Sequence, residues 1–133
     1  MAFLSSGSES IHRYEAFAVV DDNGSAAISE VIDYDFGSSD RRGIVVGVPG
    51  LHNESLVEVT SSSAIDQFVI EPDGDQSRIR IGDPDVTFDG LHRYFIAYPL
   101  NVESASNEIT WDAIRPQWDV RIDEVELLSL IHI

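Results

Sequence analysis

The side chains of this 133-residue chain that could carry chemistry are its 24 acids, four histidines and a few aromatics, because cysteine is absent. Without a thiol there is no disulfide framework, no thiolate zinc site and no cysteine nucleophile. Nucleophilic catalysis needs nucleophile, base and orienter together, and the sequence holds no Gly-x-Ser-x-Gly elbow, no His-Glu-x-x-His and no phosphate-cradling glycine loop. A carboxylate pair for glycoside hydrolysis could be drawn from so many acids that no one pairing stands out. The expectation is a non-enzymatic chain with no catalytic residue.

His12, His52 and His92 are isolated in sequence, and a transition-metal site would need the fold to bring them together with carboxylates; they read as strand-surface or loop residues. Calcium fits better, because hard oxygen ligands gather in Asp21-Asp22-Asn23, Asp73-Gly74-Asp75 and Asp83-Pro84-Asp85. None has the spacing of a full calcium loop, and turn chemistry alone accounts for Asp and Gly there. No cofactor is therefore expected, with calcium kept as the alternative ligand.

Glu30 stands between Ile28 and Ile32, whose side chains should point inward. An ionised carboxylate in that place needs an Arg or a Tyr hydroxyl as partner. The ordinary reading is a satisfied structural network; the functional one is a carboxyl that exchanges a proton. Trp111, Trp118, Tyr94 and Tyr98 could stack against a sugar ring, although their strand positions suit core packing better. Arg41-Arg42 is the one basic doublet, either a partner for nearby acids or simply solvated. The structural or interaction candidates are Glu30, Arg42, Asp83, Tyr94, Trp111 and Trp118.

Net charge narrows the partners. At −16, with all eight basic residues arginine, the chain repels phosphate backbones and anionic headgroups. Nucleic acid is not expected, and membrane contact is expected only through segments this chain lacks. The same composition fits a GC-rich coding bias or adaptation to high salt, where screening relieves self-repulsion. With 43% hydrophobic residues, one domain can bury roughly two-thirds of its unfolded surface. No apolar stretch approaches the roughly 20 residues of a spanning helix.

The elements that must position these residues read as strand after strand. Ile11 to Val20 is a first strand, with Tyr14, Ala16, Ala18 and Val20 on one face and Ile11, Phe17 and Val19 on the other. Asn23-Gly24 tolerates the positive φ of a tight hairpin, so Ser25 to Phe36 should pair antiparallel with it, burying Ala26, Ile28, Ile32, Tyr34 and Phe36 with Glu30 as the intruder. Shorter strands are expected at Ile44 to Val48, Leu56 to Thr60, Gln67 to Ile70 and Ser77 to Ile81, the last two joined by a turn at Pro72 to Asp75. His92 to Leu100 shows Tyr94, Ile96, Tyr98 and Leu100 on one face, Glu108 to Trp111 is short, and Gln117 to Leu128 closes the set with a bulge near Asp123. Eight or nine such strands without a crossover helix predict an all-β fold, an antiparallel sandwich of immunoglobulin-like or similar kind.

The ordered landmarks resemble a family of predicted prokaryotic membrane proteins known as domain of unknown function 2207. Asp22 to Ser25 followed by Ile28 to Phe36 resembles that family's opening hairpin, and Arg42-Gly43-Ile44 through Val48-Pro49 its next motif. Ile79 to Asp83, Gly90 to Tyr94 with Ile96 and Tyr98, Ile109 to Asp112, and Trp118 to Val120 complete it in order. Where the family is expected to place an aromatic-Arg pair, this chain has Val45-Val46. The resemblance implies an extracytoplasmic domain preceded by a signal peptide and followed by transmembrane segments, and no established activity. The final Leu128-Ser-Leu-Ile-His-Ile133 resembles a translated sequencing adapter. The expected organisation is a disordered segment over 1–10, a sandwich over 11–127 and a non-native tail over 128–133, in a truncated fragment. The expected role is an interaction or sensing domain with an unknown protein or cell-envelope partner; the alternative is a glycan- or calcium-binding sandwich.

Overall fold

Alternation of small and bulky apolar residues dictates the first layer. A computed structural model of the chain describes residues 9–20, 25–38, 41–49, 51, 53–63, 65–74, 76–101 and 121–131. Strands β1 (Ser10–Val20), β2 (Ser25–Asp35) and β7 (Leu91–Asn101) lie side by side and antiparallel, with β4 (Glu58–Ser61) outside β7. Each turns alternate residues inward: Tyr14, Ala16, Ala18 and Val20 from β1, Ala26, Ile28, Glu30, Ile32 and Tyr34 from β2, and Tyr94, Ile96, Tyr98 and Leu100 from β7, all buried. A second sheet of β3 (Ile44–Pro49), β6 (Gln76–Ile81) and β5 (Phe68–Asp73) adds Ile44, Val46, Val48, Ile79 and Ile81 to the same core. Two sheets sharing one apolar interior make a β-sandwich, and each fully buried isoleucine contributes about 1.5–3 kcal/mol.

Ile11 departs from expectation. Ile11 pairs with Tyr34 but Arg13 with Asp33, so His12 is an extra residue and the face of the strand switches there. The switch turns Ile11 into the core, fully buried, rather than onto the face of Phe17. The expected irregularity near Asp123 is a break between β8 (Arg121–Ile122) and β9 (Val125–Ile131) that lies beside this bulge; Asp123 N–H donates to the Ile11 carbonyl and Tyr14 N–H to that of Glu124, each at 2.8 Å.

The sandwich is antiparallel in its other pairings, as expected, while strands β8 and β9 run parallel to β1. Parallel neighbours require a crossover rather than a hairpin. Alternation within a strand does not encode its direction, so the sequence could not show this. The backbone pairing of β9 continues past residue 127 to Ile131 opposite Val20.

Two other boundaries moved for local reasons. The strand expected from Leu56 begins at Glu58, because the Asn53 side chain accepts from Ser55 N–H and caps a single 3-10 turn, Glu54–Leu56. Strand β5 extends through Pro72, which an edge strand tolerates because its missing N–H faces outward. The turn at 21–24, the strand expected at Glu108 to Trp111 and the start of the one expected at Gln117 lie outside the described residues.

Candidate functional site

Among the described residues, one charged side chain lies at the centre of the sandwich. Glu30 is fully buried on β2, directly opposite Ala16 of β1 and Ile96 of β7. Those neighbours offer no polar atom, so the carboxylate is met diagonally. Tyr14 lies two residues before Ala16 and donates its hydroxyl to Glu30 Oε1 at 2.7 Å, and Tyr98, two residues after Ile96, donates to Oε2. Ala16, Ala18 and Ala26 keep the adjacent volume small enough for two phenol rings to share the layer. Of the two partners expected, an Arg or a Tyr hydroxyl, the carboxylate has two tyrosines, whose apolar bodies also fill the core.

Tyr94 occupies the same buried face, opposite Ile32, yet its hydroxyl has no hydrogen-bond partner among the described residues. Burial pushes its pKa up to about 12, since the phenolate would lose its water. Tyr34, at the next inward position of β2, donates to Glu9 Oε1 at 2.7 Å, and Arg41 holds Glu9 Oε2 at 3.0 Å. Burial first, then the Glu9 bond, raises the Tyr34 pKa as well. Tyr34, Glu9 and Arg41 thus lead from the core to the surface.

The loops beside that exit bring two expected motifs into contact. Gly43 and Gly82 have φ of 140° and 145°, which side chains rarely adopt. A Cβ on Gly43 would lie 1.9 Å from the Ile81 carbonyl oxygen, and one on Gly82 2.0 Å from that of Arg42. Only a pair of glycines lets these backbones cross so closely. Next to the crossing, Arg42 Nε donates to the Pro84 carbonyl at 2.8 Å, and the Asp83 carboxylate accepts from Asp85 N–H at 2.9 Å. Asp83 is thereby a turn-forming residue, as is Asp73, which accepts from Gln76 at 3.3 Å.

The outer face of the smaller sheet forms the wall of an open cleft of about 680 Å3. In register across it stand Val45, Arg80 and Val69, with Arg80 bonded to Glu71 at 2.9 Å and with Arg41 and Arg42 also in its lining.

Of the six candidates, then, Glu30 and Tyr94 share the core, Arg42 and Asp83 share the glycine crossing, and Trp111 and Trp118 lie outside the described residues. His12 pairs with Asp35 at 3.0 Å and His92 donates its Nε2–H to the Asp89 carbonyl at 2.9 Å, its ring against Phe88 at 5.0 Å. Among the described residues no three acids or histidines are disposed to hold a metal ion. Arg80 carries no signal in the sequence, where arginines alternating with isoleucines on a strand read as an ordinary solvated face; the pairing of Val45 with Arg80 that makes it central is a product of register.

The family model described as "Predicted membrane protein (DUF2207) N-terminal domain" matches residues 10–127. No curated protein matches the sequence. Similar solved structures include the M1 zinc metallopeptidase of Deinococcus radiodurans, at 12% identity and TM-score 0.54 over 74% of this chain and 22% of that one. Leukotriene A4 hydrolase of Saccharomyces cerevisiae is similar at 13% identity and TM-score 0.51, over 68% and 15% respectively. This chain spans about a fifth or less of those proteins, and the likeness is one of fold alone.

Proposed function

The chain belongs to the family of predicted membrane proteins named DUF2207, in whose N-terminal domain it falls, and from that premise we propose that it is a non-enzymatic interaction or sensing domain held on the extracytoplasmic side of the membrane. The observation that carries this reading is the inward turn of the fold's convergent polar chemistry. Glu30, Tyr14 and Tyr98 bond one another in the core, each no more than 3% exposed, where no external substrate meets them. The surface instead presents sheet faces finished by ion pairs, such as the two-pronged grip of Arg93 on Asp33 at 2.6 and 2.9 Å, and the open cleft between Val45 and Val69. A cysteine-free chain of this charge suits an environment where thiols oxidise and solubility is supplied by carboxylates.

The test is topological and uses the full-length protein. Alkaline phosphatase inserted after Ile131 should be active, because that enzyme folds only outside the cytoplasm. An inactive phosphatase together with an active β-galactosidase at the same position overturns the placement.

A further inference from the structure

The cleft on the smaller sheet runs against the charge of the whole chain. Of eight arginines in a chain of net charge −16, four lie at 41, 42, 78 and 80, and three of them line the cleft, with Glu71 as the one acid among the described lining residues. The cations stand beside exposed aliphatic surface: Val45 is 36% and Val69 54% exposed, flanking Arg80 in register. Arg42 uses Nε on the Pro84 carbonyl and Arg80 uses Nη2 on Glu71. A guanidinium has five N–H groups, and among the described residues the others on these two have no protein acceptor. The protein contacts leave each guanidinium anchored by one edge with donors to spare, an arrangement that orients it for a second, bidentate acceptor.

We infer that this cleft is a binding site for a small organic oxyanion, a carboxylate or phosphate ester with an apolar body. The oxyanion is gripped by Arg42 and Arg80, and the body lies on Val45 and Val69. The volume is that of pockets that hold small ligands, 300 to 1,000 Å3 being roughly the usual span. The surrounding negative potential adds selectivity, because a bare anion is repelled on approach and only a ligand that also buries apolar surface gains enough to stay. The assignment rests on the reading that the domain binds rather than transforms what it meets.

The test titrates phenyl phosphate, phthalate and inorganic phosphate separately into the 133-residue chain. The readout is the backbone amide resonances of Gly43, Val45, Val69 and Gly82. Phenyl phosphate or phthalate should shift all four and saturate in the millimolar range or below, with inorganic phosphate weaker by roughly tenfold, the worth of about two buried methylenes. Arg42→Ala and Arg80→Ala should each weaken binding roughly tenfold, as loss of a charge-assisted hydrogen bond does, and Arg80→Lys should restore it only in part. Arg80 is half exposed on the outer face, so its truncation leaves the core untouched even if Arg42→Ala disturbs the loop. No shift with either aryl anion, or binding indifferent to both alanine variants, overturns the site. So does association seen only with phosphatidylglycerol vesicles, which would move the ligand to the membrane surface. Release of inorganic phosphate from phenyl phosphate would instead contradict the non-enzymatic reading, so the two failures are distinguishable.

Discussion

Gly43 and Gly82 each have a backbone carbonyl where a side chain would begin, the Ile81 oxygen lying 1.9 Å from the missing Cβ of Gly43 and the Arg42 oxygen 2.0 Å from that of Gly82. Both glycines line the arginine cleft, and the crossing joins two segments 39 residues apart in the chain.

Alanine at either position meets backbone rather than a movable side chain and also adopts a strained φ. Gly43→Ala and Gly82→Ala should each lower stability by about 3 kcal/mol or more, the sum of overpacking and backbone strain. Gly74 and Gly90 also have positive φ, 66° and 74°, but open space where a Cβ would go. Alanine there should cost only about 1 kcal/mol. Urea unfolding of the four variants gives the comparison.

The buried tyrosines should separate by partner. Tyr14→Phe strips Glu30 of a donor while leaving the ring volume in place, and should destabilise by about 1–3 kcal/mol. Tyr94→Phe removes a hydroxyl that has no partner among the described residues, and should be neutral or stabilising by up to about 1 kcal/mol. The same denaturant titration reads both, and a Tyr94→Phe loss as large as that of Tyr14→Phe would show an unseen partner.

The sequence made part of this legible. Inward residues of β2 and β7 could be assigned because their alternation is unbroken, and Glu30 drew notice because a charge on such a face must find partners. Two things could not be read. The bulge at His12 changes which face Ile11 takes, and nothing in Ser-Ile-His-Arg marks an extra residue. The partners of Glu30 come from diagonal positions on β1 and β7, which depend on the register of two pairings at once. Arg80 became part of a site for the same reason: its neighbours Val45 and Val69 lie on other strands.

Alkaline unfolding follows from the raised pKa of Tyr94. The folded value of about 12 exceeds the ordinary 10.0. Stability from this group is therefore complete below pH 10 and is lost as pH climbs toward 12, with a slope of about 1.4 kcal/mol per pH unit for each such tyrosine. Tyr34 shifts in the same direction and steepens the loss. Melting temperature against pH should fall above 10 in the parent chain and fall less steeply in Tyr94→Phe.

Arg13 pins the parallel strand. Its guanidinium reaches Glu15 at 2.9 Å within β1, Glu124 at 2.7 Å in the break and Glu126 at 2.9 Å on β9. Three carboxylates so close repel one another once the cation is removed. Arg13→Ala should speed hydrogen exchange at the amides of 125–131 while those of β2 and β7 keep their protection, and added salt should partly reverse the change by screening the acids.

The most direct measurement concerns where this surface is displayed. Leu56 is 58% exposed on the 3-10 turn, and the chain has no cysteine of its own. With Leu56→Cys as the sole cysteine of the full-length protein, a membrane-impermeant maleimide should label intact cells to the same extent as lysed ones. Labelling that appears only after lysis would put the domain inside the cell and contradict the account.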